Sequence, residues 1–201
     1  MNKMKLTTIV LLLGLICAPG MSQDQPDRDE LVWYGMDYSL VRLVGERTDF
    51  SDLEKIRGYY FRAWNELMII EREKYDLKKA FGVKSVTYDI EKAISRSEKV
   101  DLELLWQNAW YSFDVDQAIE VMKNYIAPGV NKVGGIFVVE TLNQHDTKAT
   151  MWLLFFNVST GELIHMGKYE GIAGGFGFRN YWVRPYYDVL TQFKQNKHKP
   201  F

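Results

Sequence analysis

The run Lys148–Val158, KATMWLLFFNV, constrains the fold more than any other part of the sequence. It is apolar at almost every position, whereas a strand with one face in water alternates between apolar and polar residues. A run of this kind must therefore be covered on both faces. We expect it to be an inner strand of a sheet that carries helices on each side.

Two further predicted strands lie close to this run along the chain. The segments Gly134–Leu142 and Glu162–Glu170 have the composition of strands, and turn-forming residues separate all three segments. Links this short join antiparallel neighbours. The three segments therefore predict a C-terminal antiparallel meander.

Helical patterns precede and follow the meander. A strand predicted over Leu31–Val44 is followed by a long helix that begins at the capping-box motif Ser51–Glu54 and continues to a stop at Gly82. A short strand over Val83–Tyr88 and a helix with a second capping box at Asp114 come next. The pattern predicts an α/β fold with a mixed sheet of about five strands covered by helices, in the order β-α-β-α-β-β-β-α.

The first residues have the layout of a secretory signal peptide. Lys3 and Lys5 precede a short apolar run over Leu6–Ile16, and the small residues Gly20 and Ser22 follow. The apolar run is shorter than the roughly 20 residues of a membrane span. We therefore expect cleavage after Ser22 in preference to a retained anchor.

This cleavage divides the chain into a signal peptide, residues 1–22, and a single α/β domain, residues 23–201. We expect an exported protein, in the periplasm or outside the cell, with no transmembrane segment in the mature chain. Cys17, the only cysteine, leaves a lipid anchor open as an alternative, although Ile16 stands where such sites usually have a small residue. If cleavage follows Ser22, no cysteine remains for a disulfide or a thiol nucleophile.

The charge balance gives no support to nucleic-acid binding. Without Lys3 and Lys5 the chain has 23 basic and 26 acidic residues, a net charge of −3, so the basic excess of a nucleic-acid or polybasic membrane binder is missing. The motifs of α/β-hydrolases, zinc proteases and P-loop NTPases are also missing. We therefore predict no cofactor, no metal site and no catalytic residues.

Two side chains leave an enzymatic alternative open. Asp37 lies inside the apolar first strand, where burial would raise the pKa of its carboxyl, although alternation along the strand favours the solvent face. His145, beside Asp146 in a predicted hairpin turn, combines an imidazole with a carboxylate, as an acid-base or metal site does, and a pair of solvated turn residues is the alternative. A hydrolase would need these side chains to converge in one cleft.

Trp106 and Trp110, in the segment LLWQNAWYSF, fall in no clear helix or strand. Among the tryptophans they are the best candidates for an exposed patch. Exposed rings can stack on sugars or peptides, and packing that anchors a loop is the alternative.

The segment Gly171–Trp182, GIAGGFGFRNYW, has four glycines in its first seven residues. A dinucleotide loop follows the pattern G-x-G-x-x-G near the start of a βαβ unit, and here Asn180 stands in place of the third glycine. We interpret the segment as a corner between the last strand and the last helix, with Asn180 capping the helix and Pro185 in its first turn.

The alternative for this corner is an anion site, formed by free amides at the helix start together with Arg179. The candidate ligand-binding residues of the whole chain are Gly174, Gly175, Gly177, Arg179, Asn180, Trp182, Trp106 and Trp110.

The run LFFNVSTGELIHMGKYEGIAGGFGFRNYWVRPYYDVL, residues 154–190, resembles the C-terminal part of a family of uncharacterised secreted bacterial proteins. Those proteins share a strand with a D/N-x-x-T-G/K-E turn, a second strand, and GGFGFRNYW leading into a last helix. The predicted order of elements is also similar to the periplasmic domain of curli secretion-channel lipoproteins and to the amino-terminal domain of the TolB translocation protein.

These resemblances imply a domain of the bacterial envelope that binds another envelope protein or assembles with itself. They carry over no catalytic residues. A module that binds a small ligand or a glycan is the alternative.

Overall fold

A computed structural model gives the structure of residues 25–196 and of residue 200. The predicted signal peptide and Cys17 lie outside these residues. Within the described part, seven strands form one mixed sheet and helices pack on both of its faces. The predicted α/β class is therefore confirmed.

The strands are β1 (Asp27–Asp37), β2 (Arg42–Val44), β3 (Ser85–Tyr88), β4 (Trp106–Gln107), β5 (Lys132–Asn143), β6 (Lys148–Asn157) and β7 (Leu163–Ile172). The helices are α1 (Leu53–Lys55), α2 (Phe61–Ile70), α3 (Leu77–Phe81), α4 (Glu91–Ser97), α5 (Leu102–Leu105), α6 (Val115–Lys123) and α7 (Gly177–Asn196). A π-helical turn, Ile56–Tyr60, joins α1 to α2.

Strand β5 is central to the sheet. It pairs antiparallel with β6, which in turn pairs antiparallel with β7. On its other side β5 pairs in parallel with β1 near its start and with β2 near its end. Strands β3 and β4 extend the sheet by pairing in parallel with β1 and β2. The predicted strand Leu31–Val44 forms both β1 and β2, and β4 is an additional short strand, so the sheet has seven strands instead of about five.

The first predicted strand is divided into β1 and β2, and β1 itself is irregular at Gly35. This residue has a φ of 85°, and pairing with β5 shifts register between Trp33 and Met36. The amide of Asn65 in α2 fills the gap: its oxygen accepts from the Met36 N–H at 2.7 Å and its nitrogen donates to the Met36 carbonyl at 3.0 Å. The side chain of a helix thus replaces the strand partner at this point.

The predicted long helix is also divided. The predicted capping box of Ser51 with Glu54 is wrong by one residue: the N-cap is Asp52, whose carboxylate accepts from the Lys55 N–H at 2.9 Å. The first part of the helix ends with α2 at Ile70. A turn leads to α3, which stops at Gly82 in the left-handed region with a φ of 73°. The second capping box, between Asp114 and Gln117 at the start of α6, is confirmed.

The two faces of the sheet carry separate cores. Helices α2, α3 and α7 pack on one face around Trp33, Phe137 and Phe155. Helix α6 packs on the opposite face around Ile136 and Leu154, and we call this second cluster the α6 core. No helix in the described residues is long and apolar enough to span a membrane.

Strand β7 lies at one edge of the sheet, and α7 covers the end of that edge. The Asp188 carboxylate accepts from the Ile172 N–H at 3.1 Å. The Gln192 amide donates to the Glu170 carbonyl at 3.3 Å. Two backbone groups at the end of the edge strand are therefore satisfied by side chains of the last helix.

Candidate functional site

Helix α6 covers only part of the sheet face on which it packs. Its apolar side chains lie over the middle of β5 and β6. Beyond them, toward the end of β5, the same face carries polar side chains and a cleft of about 110 Å³, which we call the Trp110 cleft. The loop before α6 contributes Trp110 and Tyr111. The strands and the β5–β6 turn contribute Glu140, Thr141, Asn143, Asp146, Lys148, Thr150, Lys168 and Glu170.

A β-bulge in β5 forms the floor of this cleft. Val139 lies opposite Met151 and Thr141 lies opposite Thr150, so Glu140 is an extra residue with no partner on β6. The bulge turns both Glu140 and Thr141 into the cleft. Bulges redirect side chains in this way and are frequent beside functional sites.

Glu140 is a buried carboxylate with a complete set of partners. Its residue is only 2% exposed. One oxygen accepts from the Phe113 N–H at 2.8 Å, and both oxygens lie 2.8 Å from the Lys168 ammonium. The Lys168 ammonium also lies 5.5 Å from the centroid of the Trp152 ring, an arrangement that stabilises a cation.

The other charged groups of the cleft are paired as well. Lys148 donates to Glu170 at 3.0 Å across β6 and β7. The Asn143 amide donates to the Asp146 carboxylate at 2.8 Å within the β5–β6 turn. The lining therefore carries three carboxylates and two ammonium groups, a net charge of −1.

Trp110 and Tyr111 form the aromatic wall of the cleft, and Arg42 packs against it. The Arg42 guanidinium lies 4.9 Å from the centroid of the Tyr111 ring. Burial raises the pKa of Tyr111, an effect that Arg42 reduces and Glu140 adds to, so the Tyr111 phenol stays protonated. The Trp110 ring projects outward and is 76% exposed.

His145 ties this wall to the β5–β6 turn. Its Nε2 lies 2.7 Å from the Asn108 side-chain oxygen, and the Asn108 amide donates to Glu46 at 3.2 Å. His145 therefore contacts the segment that leads to Trp110 and is not itself among the residues that line the cleft. In the described residues no group of three or more His, Cys, Asp or Glu side chains could hold a metal ion.

Asp37 is fully buried, so the expectation that it points to solvent is wrong. Its carboxylate accepts from Arg96 Nε at 2.7 Å, from the Tyr125 hydroxyl at 2.6 Å and from the Ser39 N–H at 2.7 Å. Burial and the neighbouring Asp37 carboxylate raise the pKa of Tyr125 well above its usual value, which keeps the phenol a donor. Asp37 joins β1 to α4 and α6 and lies well away from His145, beside Val138 in the sheet.

The glycine-rich segment forms the predicted strand-to-helix corner between β7 and α7. Gly175 and Gly177 have φ angles of 114° and 79°, a region that glycine adopts without strain. Trp182 is buried, with its ring centroid 5.7 Å from that of Phe50. The Arg179 side chain is exposed, while its carbonyl accepts from the Trp64 indole at 2.9 Å.

Two details of this corner differ from the prediction. Helix α7 begins at Gly177, so Asn180 lies in its first turn and does not cap it; the Asn180 amide donates back to the Phe176 carbonyl at 3.1 Å. Pro185 lies inside the helix. A proline there leaves the carbonyl four residues earlier without its helical donor, and the Gly174 N–H supplies one, donating to the Tyr181 carbonyl at 3.1 Å.

We expect Gly175→Ala and Gly177→Ala each to lower the free energy of unfolding by about 1 kcal/mol, because alanine is strained at a positive φ. An added Cβ would meet no atom closer than 3.4 Å at Gly175 and none within 4 Å at Gly177, so the backbone alone sets the cost. Urea unfolding measures it. Gly58→Ala, at an uncrowded site in the π-helical turn, is the control and should stabilise slightly. Unchanged stability of the Gly175 and Gly177 variants would argue for a functional role.

The structure brings only one of the predicted ligand-binding residues to the cleft. Trp110 forms its rim. Trp106 is half-buried in β4 and its indole donates to the Gly45 carbonyl at 3.0 Å, so it anchors the loop. The six predicted residues of the corner lie at the start of α7, apart from the cleft lining: Gly174, Gly175, Gly177, Arg179, Asn180 and Trp182.

Sequence reasoning missed most of the cleft. Glu140 stands in the apolar run GGIFVVETL, and a carboxylate in such a run is a signal of the same kind as Asp37. Lys168 has no such signal, because alternation in β7 explains it as a solvent-facing residue. Its role follows from its register with Trp152.

A larger groove, of about 580 Å³, runs beside the free edge of β3. Its polar lining side chains, such as Arg72, Glu73 and Lys84, are exposed. Among the described residues that line this groove, no polar or charged residue is buried. The smaller Trp110 cleft, with buried Glu140 on its floor, is therefore the better candidate site.

No protein-family model matches the sequence, and no curated protein is significantly similar to it.

Proposed function

We propose that this protein is an exported, non-enzymatic binding domain of the bacterial envelope and that it holds its ligand in the Trp110 cleft. The observation that carries the proposal is the buried, fully bonded Glu140 on the floor of an open cleft beside the exposed ring of Trp110. A concave site with a few convergent polar groups is what ligand binding requires.

The bonding of the cleft argues for holding a ligand in preference to transforming one. Both oxygens of Glu140 are engaged by Lys168 and Phe113. A general acid or base needs a proton-transfer position open to the substrate. The carboxylate and ammonium instead fix each other, which gives a rigid surface for recognition.

A second candidate occupant is another envelope protein or a second copy of this chain. Met166 and Ile172 are exposed, and alternation along β7 places them on the cleft face with Lys168 and Glu170. Apolar side chains around a polar centre could also receive a protein surface.

Cysteine accessibility tests the proposal whatever the ligand is. We expect the thiol of Thr150→Cys, in the cleft, to react with a maleimide several-fold more slowly in isolated cell envelopes than in purified protein, because an occupant shields it. Glu73→Cys, exposed in the turn after α2, is the matched control and should react equally in both. The unchanged chain, with Cys17 as its only cysteine, supplies the blank.

Equal reaction of the Thr150→Cys thiol in both preparations would count against the proposal. Combining the substitution with Trp110→Ala should abolish the protection, since the rim of the cleft is then lost.

A further inference from the structure

We infer that the ligand of the Trp110 cleft is a glycan, a neutral chain of sugar residues that places one ring in the cleft and stacks another on Trp110. The inference rests on the proposed function and assigns the class of ligand.

The size of the cleft limits what it can receive. Sites for drug-sized ligands have volumes of about 300–1,000 Å³, whereas this cleft has about 110 Å³. It therefore accepts one ring or side group of a larger molecule. The remainder of that molecule must lie on the open sheet face or against Trp110.

The charges of the cleft favour a neutral ligand. Glu140 is paired with Lys168, and Glu170 with Lys148. A charged ligand would have to displace one partner and leave the other uncompensated, and at buried Glu140 that would be costly. Asp146, bonded to the Asn143 amide, leaves the lining with a net charge of −1, which disfavours an anion. A neutral ligand leaves both ion pairs in place.

The same pairs suit hydroxyl groups. An ammonium has three donors, and a carboxylate has about four acceptor positions. Glu140 is buried, but the partly exposed Lys168, Lys148 and Glu170 keep bonding capacity after their own contacts are made. They present donors and an acceptor side by side, and a hydroxyl is both, so a ligand with several neighbouring hydroxyls can bond to all three.

Trp110 supplies the apolar half of the site. The ring is 76% exposed, while the Gln107 amide holds its loop by donating to the carbonyls of Ala109 at 2.9 Å and Trp110 at 3.3 Å. A sugar ring has an apolar C–H face and a polar rim. Its face fits the Trp110 ring, and its rim fits the polar cleft.

A peptide fits less well. Extended peptides gain affinity by pairing with the free edge of a sheet. The cleft lies on the face of β5, β6 and β7, and β5 and β6 are paired on both sides. Strand β7 is an edge strand, but beside the cleft its outward backbone groups at Glu170 and Ile172 are already bonded by Gln192 and Asp188.

Binding of the purified chain to a panel of short oligosaccharides tests the inference. The panel contains neutral oligomers of glucose and N-acetylglucosamine, acidic oligosaccharides and short peptides, with affinities measured by calorimetry. We expect a neutral oligosaccharide to bind and Trp110→Ala to weaken its binding about tenfold, because the apolar face of the sugar ring would lose the aromatic surface against which it is buried. Trp110→Phe, which keeps a ring, should restore most of the affinity.

Tyr59→Ala is the matched control, because Tyr59 is an exposed ring in the π-helical turn, away from the cleft face. It should leave the affinity unchanged. Binding of no neutral oligosaccharide, or binding indifferent to Trp110→Ala, overturns the glycan assignment. So does a peptide or acidic sugar whose binding is lost with Trp110. In each of these cases protection of the Thr150→Cys thiol in envelopes would leave the proposed function standing.

Discussion

Replacing Asp37 with alanine is expected to lower the free energy of unfolding by about 3 kcal/mol, the lower end of the range for breaking a buried ion pair. The substitution removes the acceptor of Arg96, Tyr125 and the Ser39 N–H at once. The Tyr125 hydroxyl stays buried, whereas the Arg96 side chain is 27% exposed and can partly rehydrate. For a domain of this size the melting temperature should fall by about 6–12 °C.

Thermal and urea unfolding of two further variants make this result specific. Asp37→Asn keeps the shape of the side chain and one acceptor oxygen. Its loss of stability should therefore be smaller than that of Asp37→Ala. Asp29→Ala removes an acid whose pair with Lys84 is exposed on both sides, and the melting temperature should not change measurably. A loss for Asp37→Ala no greater than that for Asp29→Ala would show that the buried cluster contributes nothing net.

The second large effect is expected for Gly171→Ala. This substitution should lower the free energy of unfolding by about 3 kcal/mol, the upper end of the usual range for overpacking. An added Cβ would lie 2.1 Å from the Pro185 carbonyl oxygen and 2.5 Å from its Cα. These are backbone atoms of α7, so no side chain can move aside. The end of β7 and the middle of α7 must separate.

Gly174→Ala is the control for this clash. Its Cβ would meet first the Arg184 side chain, at 3.3 Å, and that flexible chain can shift. Urea unfolding should show that Gly174→Ala lowers the free energy of unfolding slightly and that Gly171→Ala lowers it strongly. The slope of this free energy against urea concentration should be similar for the two variants. Equal stabilities of the two variants would mean that α7 does not dock on β7 as closely as this geometry requires.

The sheet could be predicted from the sequence because its signals are local. The apolar run of β6 required cover on both faces, and both faces carry helices. The Asp114–Gln117 capping box marked the start of α6 within a few residues of chain. Propensity and spacing alone are enough for such features.

The missed features depend on partners distant in the chain. Pro185 is accommodated inside α7 because the Gly174 N–H donates to the Tyr181 carbonyl in place of the N–H that proline lacks. No local sequence pattern predicts that bond. The bulge at Glu140 depends on how β5 and β6 are aligned. Asp37 does alternate with Met36 and Tyr38, which lie in the opposite core; it was misjudged because its own side of β1 is covered by the distant residues Arg96 and Tyr125.

The contacts of Asp188 and Gln192 with β7 have a consequence for shortened forms of the chain. A protein that ended before Asp188 would present the last part of its ten-residue edge strand without its cap. An uncovered edge is a template on which another copy can add a strand, and repetition of that step leads to aggregation. The last helix therefore closes the end of the long edge strand at which another copy could add.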